Sequence, residues 1–264
     1  MIKLGVCTGL ENAQIVAEAG FDYIETALNA VAAMSQDKFD MAQKALARTG
    51  LPCEAVNCML PGTLHVTGPN VDMEQVRSYL LTAFDRARAL GASMVVFGSG
   101  ASRGVPEGAS HWLAWQQLRE FLILAGPLAG EYGLKIAIEP LCREECNILN
   151  FVSEALALAA LLDLPQVGVL GDTYHMSLNG EPLEVLARAG DRLWHLHIAC
   201  PQGRAFPRDG DPACQRGEYQ RLFDILRESG YNGRVSVEGT ARDFRENAFA
   251  SFELLDKLRR TVNM

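Results

Sequence analysis

The chain has 264 residues, 48% of them hydrophobic and 21% charged, the balance of a soluble globular protein with ample core. Its formal net charge of −8 argues against a surface that tracks nucleic-acid phosphates, and no apolar run approaches the roughly 20 residues needed to span a bilayer. The length suits a single (β/α)₈ barrel over residues 1–264, a fold of about 250 residues.

Taken in order, strand-like runs alternate with amphipathic ones about eight times. The chain opens on Met1-Ile2-Lys3-Leu4-Gly5-Val6-Cys7, which reads as a strand and not as a signal peptide. Strands are expected near 2–7, 22–25, 53–57, 93–97, 135–139, 167–171, 193–198 and 234–238. Helices are expected near 11–19, 37–49, 72–90, 110–132, 152–162, 181–189, 216–229 and 243–260, with Asp72 and Ser153-Glu154 as entry signals. Links from helix to strand are short and carry Gly20, Gly50, Gly91 and Gly133, suited to the left-handed residue that closes a helix. Links from strand to helix are long at 58–71, 98–109, 140–151 and 199–215. Long loops confined to one end imply that this end holds the site, and in a barrel it is the C-terminal face of the strands.

The same end receives the chemistry. Lys135-Ile136-Ala137-Ile138 runs into Glu139, Val167-Gly168-Val169-Leu170-Gly171 into Asp172, Leu193-Trp194-His195-Leu196 into His197, and Arg234-Val235-Ser236-Val237 into Glu238. Each short buried strand delivers one metal-competent side chain at its end, and barrel closure gathers the four. Three carboxylates and an imidazole suit Mn²⁺, Mg²⁺, Co²⁺ or Zn²⁺. His195 and His197 are expected on opposite faces of their strand, with His197 as ligand and His195 as packing or support. Any one acid at a strand end could be a plain salt-bridge partner; four on successive strands make coincidence improbable.

The seven cysteines show no CxxC spacing and are read as reduced thiols in a cytoplasmic protein. Gly98-Ser99-Gly100 follows a strand, but a phosphate-cradling GxGxxG is not completed. Arg103 is a candidate for an anionic group or a rim salt bridge.

The segments Ile138-Glu139-Pro140-Leu141-Cys142-Arg143-Glu144-Glu145, Asp172-Thr173-Tyr174-His175-Met176, His195-Leu196-His197 and Val237-Glu238 resemble the xylose isomerase-like TIM barrel superfamily of sugar isomerases and epimerases, including its D-tagatose 3-epimerase and D-psicose 3-epimerase group. The resemblance covers essentially the whole chain. It implies one divalent metal ion per chain, often Mn²⁺, on Glu139, Asp172, His197 and Glu238. It implies Glu139 and Glu238 as the acid–base pair, and Glu145, His175 and Arg204 as substrate contacts. The implied substrate is a small sugar or polyol-derived ketone, in a protein that is a candidate homo-oligomer. Cys142 departs from an asparagine common in the epimerases, Glu144 from an aromatic, and Cys200 from a small or acidic residue. The charged, turn-rich stretch from Cys200 to Gln215 reads as a specificity loop. The rival readings are a C-glycoside-cleaving subunit, an endonuclease IV-like phosphodiesterase and a non-catalytic binding subunit. The phosphodiesterase reading is disfavoured by only five histidines, including His65 and His111, and by the acidic charge.

Overall fold

In the computed structural model, which describes residues 1–212, 214 and 216–261, eight parallel strands close on themselves in sequence order. They are β1 (Lys3–Cys7), β2 (Tyr23–Ala27), β3 (Cys53–Asn57), β4 (Met94–Phe97), β5 (Lys135–Ile138), β6 (Val167–Asp172), β7 (Leu193–Ile198) and β8 (Arg234–Val237). β1 pairs with both β2 and β8, which completes the ring. The strands read as nearly continuous apolar runs because both of their faces are covered, one by the barrel interior and the other by helices.

The helices are α1 (Ala13–Ala19), α2 (Leu28–Ala32), α3 (Gln36–Thr49), α4 (Met73–Leu90), α5 (Gly100–Arg103), α6 (His111–Glu131), α7 (Val152–Leu162), α8 (Thr173–Asn179), α9 (Val185–Ala189), α10 (Arg216–Glu228) and α11 (Phe244–Arg260). The expected helix starts have physical causes on view. Asp72 accepts from the backbone N–H groups of Glu74 and Gln75 at 3.0 Å each, capping α4. Glu154 reaches back to the N–H groups of Asn150 and Phe151, so α7 begins at Val152, one residue before the expected signal. Gly20, Gly50, Gly91 and Gly133 all have positive φ. Three short helices were not expected: α5 lies in a segment read as a loop, and α2 and α8 in segments assigned no element. α8 starts directly at Thr173 because Asp172 caps it, accepting from Tyr174 N–H at 2.8 Å. Asp172 therefore ends a strand and starts a helix, which fixes its carboxylate at the barrel mouth.

Arg103 meets neither an anion nor the rim. It is fully buried and donates to the carbonyls of Phe97 (2.9 Å) and Glu139 (2.7 Å), tying β4 to the end of β5. The expectation of reduced cysteines throughout is also corrected. Cys200 and Cys214 form a disulfide, because the loop after β7 folds back until their Cα atoms are 4.8 Å apart. Cys7, Cys53, Cys58, Cys142 and Cys146 are free. The expected end of this loop at Gln215 lies outside the described residues. Among the described residues, no helix is long and apolar enough to cross a membrane.

Candidate metal centre and active site

The four strand-end residues converge. One donor atom from each of Glu139, Asp172, His197 and Glu238 lies within 4.8 Å of the others. His197 Nδ1 is 3.0 Å from Glu139 Oε1 and 3.1 Å from Glu238 Oε2. Adjacent donors on an octahedral ion with bonds of about 2.1 Å stand roughly 3.0 Å apart, so this spacing fits a hard divalent cation with oxygen and imidazole ligands. Neither His65 nor His111 joins a donor group among the described residues, so neither adds a ligand of the kind that a polynuclear phosphodiesterase centre requires.

Space for the first carboxylate comes from Gly98. A β-carbon there would collide with Glu139 Oε2. Glu238 is held from the other side, where Asn57 at the end of β3 donates to its Oε1 at 2.8 Å.

Crowded carboxylates in a buried site resist ionisation. Burial and the Glu238 charge raise Asp172 to about 6, and the same two causes raise Glu139. Burial would raise Glu238 as well, but His197 and Arg204 outweigh it and bring that group down to about 2. Burial opposes a charged His197, yet Glu238 and the other carboxylates around it push its pKa well above the usual range. The imidazolium and one guanidinium thus hold positive charge where the donor geometry suits a metal ion.

Arg204 arrives from the loop after β7. Gly203 and Arg204 both have positive φ, 70° and 49°, making a tight turn that carries the side chain back over the mouth. The carbonyl of Arg204 accepts from Thr240 N–H at 2.7 Å, and a β-carbon on Gly239 would come within 2.7 Å of that same oxygen. A non-glycine residue in this conformation is strained, and surrounding contacts must hold it there. Its Nη2 donates to Glu238 Oε2 (2.5 Å) and Asp172 Oδ2 (3.2 Å), its Nη1 to Glu145 Oε1 (3.3 Å), and its guanidinium stacks 4.8 Å over Tyr174. His175 is buried in the first turn of α8. Its Nδ1 accepts from Cys142 N–H at 3.1 Å, which leaves Nε2 as the protonated nitrogen, 3.5 Å from Asp172 Oδ2. Burial lowers its pKa, so it is a neutral donor.

Glu139, Glu145, His175, Arg204 and Glu238 line one cleft of about 290 Å³, together with Cys58 and Ser99. That is at the small end for ligand sites. All seven sequence-derived site residues therefore come together.

The paired histidines differ from expectation. His195 and His197 face the same side, because residues two apart on a strand share a face. Both point inward onto Glu25, which was not singled out, and their rings meet edge to face at 5.1 Å. Glu25 lies on β2, where an apolar residue is followed by an acid near the strand end. The pattern that exposed the other four also applies to it. Asn57 and Tyr174 had no comparable sequence signal.

Residues 13–260 match the family described as xylose isomerase-like TIM barrel. A putative hydroxypyruvate isomerase of Streptomyces coelicolor is 27% identical over 245 residues, 87% of this chain and 84% of that protein. A probable ketose 3-epimerase of Synechocystis is 32% identical over 106 residues, covering 40% of this chain and 35% of the relative, about a third of its length. A D-psicose 3-epimerase crystallised in the presence of D-fructose is similar with a TM-score of 0.84, at 18% identity over 98% of both chains. The 3-keto-D-glucoside 4-epimerase of E. coli gives a TM-score of 0.80 at 22% identity, covering 99% of this chain and 100% of that one.

Proposed function

We propose, from the premise that this chain belongs to the xylose isomerase-like TIM barrel family, that it is an isomerase or epimerase of a small sugar or polyol-derived ketone, dependent on one divalent metal ion. The proposal takes residues 1–264 as a single domain of this kind. The observation that carries it is the pair of carboxylates, Glu139 and Glu238, both 3.0–3.1 Å from one buried imidazole nitrogen and both lining the same small cleft. The relatives named ketose 3-epimerase and hydroxypyruvate isomerase support the reaction class.

Glu139, Asp172, His197 and Glu238 would hold the metal, with Mn²⁺ favoured and Mg²⁺, Co²⁺ or Zn²⁺ as alternatives. When bound, it supplies Lewis acidity for the negative charge that develops as a proton leaves carbon beside a carbonyl. The remaining work belongs to the side chains. One of Glu139 and Glu238 takes the proton, and the other returns one to the same carbon from the opposite face, which inverts that centre; delivery to the neighbouring carbon, with the hydroxyl proton passing to the former carbonyl oxygen, would move the carbonyl instead. His175 donates through Nε2–H, and Arg204 and Glu145 bind hydroxyl oxygens, so the pose is fixed before the proton moves. The cytoplasmic location and homo-oligomer formation read from the sequence remain part of the proposal.

The deciding experiment uses metal-loaded protein with a panel of ketoses and inososes in deuterated water. The wild type is expected to incorporate deuterium at the carbon next to the carbonyl. Glu139→Gln and Glu238→Gln are each expected to lose about 10²–10⁴-fold in turnover together with that exchange. An active wild type that takes up no deuterium would indicate hydride transfer and end the paired-glutamate reading.

A further inference from the structure

Below the four donors, the barrel interior is polar where a (β/α)₈ core is normally filled by branched apolar side chains. Glu25 is fully buried there and is the centre of a closed hydrogen-bond set. Its Oε1 accepts from His197 Nε2 at 2.9 Å. Its Oε2 accepts from His195 Nε2 at 2.7 Å and from the Ser236 hydroxyl at 2.6 Å, and Ser236 Oγ in turn accepts from the Tyr23 hydroxyl at 2.6 Å. Three strands supply these groups: Tyr23 and Glu25 come from β2, His195 and His197 from β7, and Ser236 from β8.

None of these residues reaches the cleft, and none has a part in the proton transfer described above. A buried ionic set is costly, and replacing the whole of it by packed apolar residues would often be neutral or better for stability. The geometry says what it does instead. The ring of His197 has two nitrogens, and Glu25 takes the proton of one. The other, Nδ1, faces Glu139 and Glu238, to which the imidazolium donates; with Nε2–H kept on Glu25, Nδ1 is the nitrogen that loses its proton when an ion takes its place. His195 Nδ1 has no hydrogen-bond partner, so its Nε2 is the donating nitrogen and its ring serves only to hold Glu25.

We infer that Glu25 is a positioning residue for the metal centre: it fixes the tautomer and ring orientation of His197 so that Nδ1 is the ligand, with His195, Ser236 and Tyr23 holding Glu25 in place. A carboxylate behind the ring also makes the imidazole a stronger donor, an effect that grows in a low-dielectric interior. The inference rests on the reading that Glu139, Asp172, His197 and Glu238 bind a divalent ion.

The test separates the two. Metal-free wild type and Glu25→Gln are titrated with Mn²⁺ by calorimetry, with thermal unfolding of the metal-free proteins as the control for folding. The Zn²⁺-loaded forms are compared by NMR for the His197 Nε2–H proton. Wild type is expected to bind one Mn²⁺ tightly and to show that proton far downfield and protected from exchange. Glu25→Gln is expected to bind Mn²⁺ about 10- to 100-fold more weakly and to lose the downfield signal, even where its metal-free unfolding temperature is unchanged. A folded Glu25→Gln protein with wild-type Mn²⁺ affinity overturns the inference while leaving the metal site standing. A wild type that binds no divalent ion overturns the functional reading, and this inference with it. Should Glu25→Gln fail to fold, Ser236→Ala removes one of the bonds to Glu25 and leaves the rest. Several-fold weaker Mn²⁺ binding with an upfield shift of the same proton then supports the assignment, and no change in either overturns it.

Discussion

At single positions, the space around the donors is as specific as the donors themselves. Gly98→Ala adds one carbon against Glu139 Oε2 and leaves strand β4 untouched. We expect the folded variant to bind Mn²⁺ at least about 10-fold more weakly, measured by calorimetry, because the carboxylate must move. Arg204 lies on two of the candidate donor carboxylates, Asp172 and Glu238, and also faces the cleft. Arg204→Ala is expected to raise KM by about 10- to 100-fold, the worth of a charged hydrogen bond. Its Mn²⁺ affinity should be unchanged or higher, since a competing cation has gone; unchanged kinetics across the whole substrate panel would remove Arg204 and its loop from the site. The positions of these residues were legible in the sequence to different depths. Glu139, Asp172, His197 and Glu238 announce themselves because burial and strand ends combine in a pattern visible without coordinates. The facing of His195 follows from strand period alone, and the expectation that it points away from His197 misapplied that period. Asn57, Gly98 and Tyr174 act through shape and proximity across the barrel, which no local stretch of sequence encodes.

At the scale of elements, the strands were legible to within one or two residues because apolar runs bounded by glycine leave little choice. The short helices α2, α5 and α8 were not, since helices of four to seven residues draw their stability from tertiary contacts. The disulfide escaped for a similar reason: only the folded path of the loop brings Cys200 to Cys214. At the opposite end of the barrel, Glu54 on β3 accepts from Lys3 on β1 (2.5 Å) and Arg234 on β8 (2.7 Å). Burial would raise its pKa, but these two partners outweigh burial and lower it. A carboxyl lowered in the folded state adds stability that is present above its unfolded pKa and is lost as pH falls through the folded value. Glu54→Gln should therefore cost about 1–2 kcal/mol in urea unfolding at pH 7. The gap to wild type should narrow below about pH 4.5, and a gap that is constant with pH would show that the loss is not of ionic origin.

For the molecule as a whole, the candidate metal centre joins β5, β6, β7 and β8, so an ion bound there would stabilise the folded state against the unfolded chain. At a free Mn²⁺ concentration 100 times Kd the gain is about 2.7 kcal/mol. For a chain of this length that corresponds to roughly 5–10 °C in Tm. Stripping with a chelator should reverse the rise, and Asp172→Ala should abolish it. The polar set around Glu25 has a different consequence, for how the chain can be divided. Glu25 is contributed by the first half of the barrel, whereas His195, His197 and Ser236 belong to the second, 170 or more residues away. A break at Gly133, between α6 and β5, yields a fragment with a carboxylate turned inward and without its donors, and another with two histidines that have lost their acceptor. Neither half can bury those groups alone, so each is expected to be unstructured by circular dichroism, and mixing them should restore the barrel. The charge at its centre makes the two halves of this protein dependent on each other.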